Sequence, residues 1–248
     1  MKASNFIYGL HSVLEALEGD VLLDQIYIAR GMEKKLGFRK VIELAREKRV
    51  VVKVVPVEKL YSFVNKNHQG IIALLTKIVY ANLEELVMNS FEQGINPLFV
   101  ILDKITDVRN FGAIARSCEA AGVTGIVIPE RNSVSVTSDA IQASAGALLH
   151  VPVARVSNLI STVKYLQKSG IKVYATTDKA NKIHYHENFI SPVAFIFGNE
   201  EKGVSAELLK ASDDWVRIPM LGQVSSLNVS VSVGIVLYEA VRQRKNYD

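Results

Sequence analysis

VAFIFGNEEKGVS, Val193 to Ser205, holds the clearest architectural signal in the chain. Its first five residues are apolar without alternation, as in a strand covered on both faces within a parallel α/β sheet. The loop that follows comes within one residue of a phosphate-binding P-loop, which needs Gly, four residues, then Gly-Lys-Ser/Thr. Gly198, Gly203 and Ser205 are in place, but Val204 stands where the lysine belongs. A phosphate cradle works through backbone N–H groups and that lysine, whereas Glu200 and Glu201 would repel a triphosphate. No G-x-G-x-x-G occurs, which argues against a dinucleotide cofactor. A ligand that is nucleoside-like, lacks phosphate and carries positive charge suits such a loop better. S-adenosylmethionine has that character. The alternative is a solvent-exposed charged turn capping a helix that starts at Ser205.

On both sides of this stretch, apolar runs alternate with amphipathic ones. After the breaker Gly94-Ile95-Asn96-Pro97, strands are expected at Leu98 to Leu102, Gly125 to Ile128, Val151 to Val156, Ile171 to Ala175, Val193 to Phe197 and Trp215 to Ile218. Helices are expected at Phe111 to Ala121, Ala140 to Leu149, Leu159 to Lys168, Ala206 to Ala211 and in a last segment ending near Arg244. Ligands of such sheets sit beyond the carboxyl ends of the strands, so the loops after Leu102, Ala175, Phe197 and Ile218 are the candidate positions.

Ahead of the breaker, His11 to Leu17, Glu33 to Lys48 and Glu58 to Val64 read as helices, and Val21 to Ala29, Val51 to Val55 and Ile71 to Leu75 as strands. Leu83 to Phe91 is one amphipathic stretch. The layout expected is a small α/β domain over 1-78, a linker over 79-97 and a larger α/β domain over 98-248. Residues 1 to 80 hold 13 Lys+Arg against 8 Asp+Glu, while residues 81 to 248 hold 16 against 17, so the whole basic excess is N-terminal. Arg39, Lys40, Arg46, Lys48 and Arg49 cluster around one helix and its exit. A basic front segment on a near-neutral body suits a nucleic-acid-docking module, because Lys/Arg contacts to phosphates dominate non-specific binding. A merely solubilising basic surface is the other reading.

Two more stretches stand out. Asp103 to Cys118, DKITDVRNFGAIARSC, leaves a strand end and enters a helix of small residues that contains Arg116. That arginine either snorkels to solvent or grips a phosphate and stabilises developing charge. Ile218 to Ser232, IPMLGQVSSLNVSVS, alternates Ser226, Asn228, Ser230 and Ser232 with Leu227, Val229 and Val231. Its period is that of a strand, although Gly222 and the serines equally suit the start of the final helix, and buried Ser and Asn would need polar partners such as a cofactor or Arg116.

Together, N-F-G-A-I-A-R-S, F-G-N-E-E-K-G and I-P-M-x-G-x-V-S-S-L-N-V-S-V-S resemble the three motifs of the SpoU/TrmH RNA 2′-O-methyltransferases, in order and over residues 97 to 248. The opening I-Y-G-L-H-S-V-L-E-A-L resembles that family's substrate-binding domain, similar to the ribosomal L30e-like fold. The resemblance implies a trefoil-knotted parallel-sheet (SPOUT) methyltransferase domain behind the small domain, S-adenosylmethionine as cofactor, ribosomal RNA as partner and a homodimer. The most similar members methylate a guanosine ribose in 23S rRNA; tRNA methylation is the runner-up, and a non-catalytic RNA-binding protein is the rival from another class. Position by position, it implies Arg116 as the catalytic arginine, Asn110 as its companion in the loop, Glu200 as an organiser of the site and Ser226 and Asn228 as a polar pair. Gly198, Ile218 and Leu227 would line S-adenosylmethionine, largely through backbone groups, and Thr176 would add a contact.

What remains narrows the context. With 49% hydrophobic residues, 22% charged and six prolines, the chain has the composition of a folded globular protein. No apolar run approaches a membrane span and the N-terminus lacks a signal-peptide core, so a cytosolic protein without a membrane partner is expected. The single cysteine, Cys118, excludes an internal disulfide. His184-Tyr185-His186 has no third ligand nearby, so an exposed loop is expected there rather than a metal site.

Overall fold

A computed structural model describes residues 6–19, 21–48, 50–76 and 78–245; Arg49 and residues 1–5, named above in the basic cluster and the first domain, lie outside them. The chain divides into two compact units, Met1–Val79 with Ser135–Ser138, and Tyr80–Val134 with Asp139–Asp248.

The first unit contains β1 (Phe6–Tyr8), α1 (Leu10–Glu18), β2 (Leu23–Ala29), α2 (Leu36–Glu47), β3 (Val51–Val55), α3 (Val57–Tyr61) and β4 (Ile71–Leu75). Its sheet has the order β1-β4-β2-β3, with β2 and β3 parallel and the other pairs antiparallel. Side chains alternate between the two faces of a strand. Ile26 and Ile28 therefore join Val13 and Leu17 of α1 and Phe38 and Val41 of α2 in one core. Tyr27, Ala29 and Ile72 turn to the opposite face, against Leu60 of α3. The three-residue edge strand β1 is too short to leave a periodic signal in the sequence.

The second unit runs α4 (Leu83–Glu92), β5 (Leu98–Asp103), α5 (Val108–Ala120), β6 (Gly125–Pro129), α6 (Ser138–Ala143), β7 (Val153–Val156), α7 (Leu159–Lys168), β8 (Lys172–Thr176), β9 (Lys182–Ile183), β10 (Val193–Gly198), α8 (Ala206–Ala211), β11 (Asp214–Arg217) and α9 (Val229–Arg244). Its strands form a parallel sheet in the order β7-β6-β5-β10-β8-β11-β9. The apolar runs are buried on both faces: Phe99, Ile101, Ala194 and Ile196 pack with residues of α4, α7 and α8. Val100, Leu102, Phe195 and Phe197 alternate with them, and α5 and α9 pack against each other and the sheet. The stretch 79–97 carries α4, whose Leu83 and Val87 belong to this core. After β5 the chain builds outward through β6 and β7, then returns to build the other side, so the order reverses between β5 and β10. A crevice at such a reversal is where α/β sheets place ligands. No helix among the described residues is long and apolar enough to cross a membrane.

Helices α2 and α3 are shorter than expected, by three residues at the start of one and the end of the other, and three further differences from the reading of the sequence have an identifiable cause. Helix α5 begins at Val108 instead of Phe111, because the Asp107 carboxylate accepts from the N–H groups of Arg109 and Asn110 at 2.8 and 2.9 Å and caps it. These backbone bonds, that from Asn110 foremost, hold the Asp107 carboxyl below its ordinary pKa. The helix expected over Ala140 to Leu149 breaks where Ala145 and Gly146 turn left-handed, at φ 50° and 88°, and resumes as a 3-10 turn over Ala147–Leu149. The strand-like alternation of 226–233 is overruled: Val229, Val233, Val236, Leu237 and Ala240 are buried at helical spacing along α9.

The far end of α9 is clamped. Arg244 donates to the carbonyl oxygens of Phe189, Asn96, Pro97 and Ser191 at 2.7, 2.8, 3.2 and 2.7 Å, and its burial draws the guanidinium pKa down. Gln243 beside it accepts from Phe189 N–H at 2.7 Å and donates to the Glu187 carbonyl at 2.9 Å. Arg244→Ala is expected to lower unfolding free energy by about 2 kcal/mol in a urea titration, and Arg244→Lys to recover less than half, since an ammonium cannot replace the planar fork. Wild-type stability in both variants would rule the clamp out.

Candidate active site

The strand ends of the second unit bring the three unusual stretches together. At the end of β5, Asp103 is only 4% exposed and its carboxylate accepts from Ser205 N–H at 2.8 Å, tying the loop after β10 to β5. Ser205 precedes α8 but its side chain makes no capping bond, so the anchor is its backbone, not its hydroxyl. Asp103 was not among the candidate residues; its signal in the sequence is a lone carboxylate closing an otherwise apolar strand. The loop is folded tightly on itself: Gly203 N–H donates to Asn199 O at 2.7 Å, and Glu201 N–H to Asn199 Oδ1 at 2.8 Å. A Cβ on Gly198 would lie 2.0 Å from the Gly203 carbonyl carbon and 2.2 Å from Val204 N, so only glycine closes this loop.

Glu200 is the meeting point. Its Oε1 accepts from Asn110 Nδ2 at 3.2 Å, from Asn228 Nδ2 in a short bond and from Val229 N–H at 3.4 Å. Asn228 Nδ2 also donates to Asn110 Oδ1 at 3.0 Å, while its Oδ1 accepts from Ser230 N–H at 2.9 Å and caps α9. One residue from each of the three stretches thus joins a single hydrogen-bonded cluster. Asn110 lies in the first turn of α5 rather than in a loop. Asn228 is exposed, so the polar partners it finds are Glu200 and Asn110, not Arg116.

The other expected site residues take individual places. Arg116 is exposed on α5 and has no hydrogen-bond or ion-pair partner among the described residues. It lies about 9 Å further along α5 than Asn110 and about 120° around it, so it does not join the cluster. Ser226 is exposed in the loop before α9, and Leu227 and Ile218 are half-buried at the ends of that loop. Thr176 ends β8, and its hydroxyl is buried without a hydrogen-bond partner. Such an orphan is uncommon in a folded protein and suits a bound ligand's polar group. Gly112 allows α5 to approach Ala143 and Ser144: a Cβ there would lie 2.5 Å from Ala143 Cβ. Burial pushes the Cys118 thiol pKa up, which makes it a poor nucleophile.

His184 departs from the expected exposed loop. It is 6% exposed in a 3-10 turn, with Nδ1 3.2 Å from the Arg217 carbonyl oxygen. No group of three or more His, Cys, Asp or Glu side chains able to hold a metal ion occurs among the described residues.

Comparison with known proteins agrees with this convergence of motifs. A model of the SpoU rRNA Methylase family matches residues 97–238. This chain belongs to that family. A model described as RNA 2′-O ribose methyltransferase substrate binding matches residues 6–81. Among SpoU relatives, the Bacillus subtilis protein YacO, named as a TrmH family tRNA/rRNA methyltransferase, is 36% identical over 240 residues, covering 97% of this chain and 96% of its own. The SpoU methyltransferase AviRb from Streptomyces viridochromogenes, solved with the cofactor AdoMet, superimposes with a TM-score of 0.60 at 24% identity, over 96% of this chain and 90% of its own. A solved RNA 2′-O ribose methyltransferase gives a TM-score of 0.54 at 26% identity, over 96% of this chain and 88% of its own. The architecture is the SPOUT one expected from the motifs, a small α/β domain ahead of a parallel-sheet SpoU methyltransferase domain.

Gly198→Ala tests the loop closure: the variant is expected to remain folded by circular dichroism but to lose protection of the Gly203 and Ser205 amides in hydrogen exchange. Wild-type protection would mean the added methyl is accommodated.

Proposed function

We propose that this SpoU-family chain transfers the methyl group of S-adenosylmethionine to a ribose 2′-hydroxyl of 23S rRNA, most like the RlmB guanosine 2′-O-methyltransferases. The observation that carries the reading is the Glu200 cluster, which gathers Asn110 and Asn228 at the strand ends where the sheet order reverses. The 2′-O position rests on the description of the model matched by residues 6–81 and on the 26%-identical ribose methyltransferase.

The residues present fit this cofactor. The unpartnered Thr176 hydroxyl offers a polar contact at the end of β8, and Gly198 ends β10, the strand paired with it. Three neutral donors leave the Glu200 charge in place, favourable to a cationic ligand and unfavourable to phosphate. When bound, S-adenosylmethionine supplies a methyl group on positively charged sulfur. Gly198, Ile218, Leu227 and Thr176 would hold it, while Asn110, Glu200, Ser226 and Asn228 would shape the crevice around it. Arg116, exposed and unengaged, meets the RNA. A guanidinium carries five N–H donors and no acceptor, so Arg116 donates hydrogen bonds to the ribose oxygen and the neighbouring phosphate instead of acting as a base. With the cofactor held there, the ribose oxygen would take the methyl carbon as the carbon–sulfur bond breaks, its electron pair staying on sulfur to leave neutral S-adenosylhomocysteine, and the hydroxyl proton would pass to solvent water.

Exposed Leu221, Val224, Val231 and Tyr238, around the last loop and α9, support a homodimer, and sedimentation at a monomer's mass would exclude one. We place the enzyme in the cytosol, where fractionation would find it if the reading is right. For Arg116→Ala, methyl transfer to 23S rRNA is expected to fall about 100-fold or more while S-adenosylmethionine affinity stays within about threefold. Methylated sites, mapped as linkages resistant to alkaline hydrolysis, distinguish ribose from base methylation. Label appearing in tRNA alone would move the substrate there; binding of rRNA with no label transferred would leave a non-catalytic RNA-binding protein.

A further inference from the structure

The first unit places several unengaged groups at one end of its sheet. The ends of β1, β2 and β3 meet the start of β4: Gly9 N–H donates to Ile71 O at 3.3 Å, Ala29 N–H to Gly70 O at 2.9 Å and Arg30 N–H to Val55 O at 2.8 Å. Leu10 N–H donates to Gln69 Oε1 at 3.1 Å, joining the segment after β1 to the one before β4. Three segments, 9–11, 30–36 and 65–70, are therefore gathered there.

Their backbone is unusual. Gly9, Gly31 and Gly70 have φ of 90°, 89° and 82°, and Gln69, which has a side chain, is held at φ 53°. Left-handed conformations at non-glycine residues concentrate at functional sites, where the strain is retained for what the geometry does. His68 is 3% exposed; its Nδ1 accepts from Gly70 N–H at 3.0 Å, which puts the ring proton on Nε2, and that buried N–H has no acceptor among the described residues.

The charges at this end are unspent. Arg30, Lys34, Lys35 and Lys66 are exposed without a hydrogen-bond or ion-pair partner for their side chains among the described residues. The one carboxylate among them, Glu33, is turned into its own loop, accepting from Gly31 N–H at 2.6 Å. Along α2 the picture differs. Lys40 pairs with Glu18 at 2.6 Å and Lys48 donates to the Gly19 carbonyl at 2.6 Å; Arg39 and Arg46 make no such bond, but Glu43 stands four and three residues from them and Glu47 lies on the same helix, so carboxylates offset their charge there.

Resting on the RNA-methyltransferase reading above, we propose that this loop end, and not the outer face of α2, is the surface of the first unit that grips the RNA: Arg30, Lys34, Lys35 and Lys66 contact phosphates, and the amides of Asn67 and Gln69 face the nucleotide between them. Free cations with no carboxylate facing outward beside them release counterions on binding phosphate, whereas on α2 Lys40 and Lys48 must first give up a partner and Glu43 and Glu47 repel the phosphate. The oxygens of these amides already accept from Gln69 N–H at 3.3 Å and Leu10 N–H at 3.1 Å, which orients their NH2 groups as donors to an acceptor on an exposed base edge.

The test uses the full chain and a fluorescein-labelled 23S rRNA transcript, titrated by anisotropy at several salt concentrations. K34A/K35A/K66A is expected to bind at least tenfold more weakly, with a log–log salt slope shallower by about two, since each phosphate left without its cation removes about 0.7 to 0.9 from the slope. R39A/R46A on α2 stays within about twofold of wild type. Unchanged affinity and slope in the triple variant would overturn the proposal, as would equal weakening in the α2 pair. A wild type that binds rRNA without transferring methyl, while the triple variant still binds more weakly, sinks the enzymatic reading and leaves this surface standing.

Discussion

One carboxylate oxygen, Glu200 Oε1, takes hydrogen bonds from the first turn of α5 and from the start of α9, although Asn110 and Asn228 are separated from it by 90 and 28 residues. Each such exposed bond contributes only about 1 kcal/mol, far less than burial of the two sheets' apolar faces. Its importance is geometric. Adjacency of β5 and β10 brings α5 and the loop after β10 to one place, and Asp103 then fixes the loop's other end through Ser205. The P-loop-like spacing of the glycines is explained by this arrangement: Gly198 and Gly203 let the loop fold back on itself, presenting a carboxylate instead of a row of N–H groups.

The other half of the constraint is α9, about 24 Å long. Asn228 ties its start to the cluster, while Gln243 and Arg244 tie its end to carbonyls of the segments that enter β5 and β10, at the opposite ends of those strands. Between these anchors, apolar residues hold it against α5. A shift of α9 along its axis would have to break one anchor or the other. The geometry of the Glu200 cluster is in this way coupled to the clamp at the far end of the C-terminal helix.

How much of this the sequence disclosed depended on whether a local pattern matched its tertiary use. VAFIF reads as a buried strand because burial on both faces removes alternation, and it is one. The three motifs were legible as a set, yet their meeting at one oxygen was not, because a contact across 118 residues leaves no periodic trace. The Ser/Val alternation after Ser225 misleads for a physical reason. Valines at 229 and 233 suit a helix face as well as a strand face, and the Asn228 cap, which decides between them, is recognisable only if the helix is already assumed. Asp107 was a readable cap, with the helix starting at the next residue. His184 was not: its burial comes from packing beneath α9 and a contact to Arg217, both distant in sequence. In the first unit, counting charges located the basic segment but could not separate paired from free cations, since the Lys40–Glu18 pair forms only when α1 and α2 lie together.

The separation of Arg116 from the Glu200 cluster argues for a division of labour. Had the arginine been bonded to Glu200, any nucleic acid would have had to displace a carboxylate to reach it, at the cost of a charge-assisted pair. Instead the carboxylate is occupied by neutral amides, and the guanidinium stands free about two turns further along α5. An anionic polymer can approach Arg116 without disturbing the crevice, and a cationic small molecule can enter the crevice without competing for the arginine. On the proposed function the methyl donor is cationic and the acceptor anionic, so two recognition groups left electrically unpaired would let each bind in either order, with the transfer geometry resting on the stiffness of α5, the one element that carries both Asn110 and Arg116.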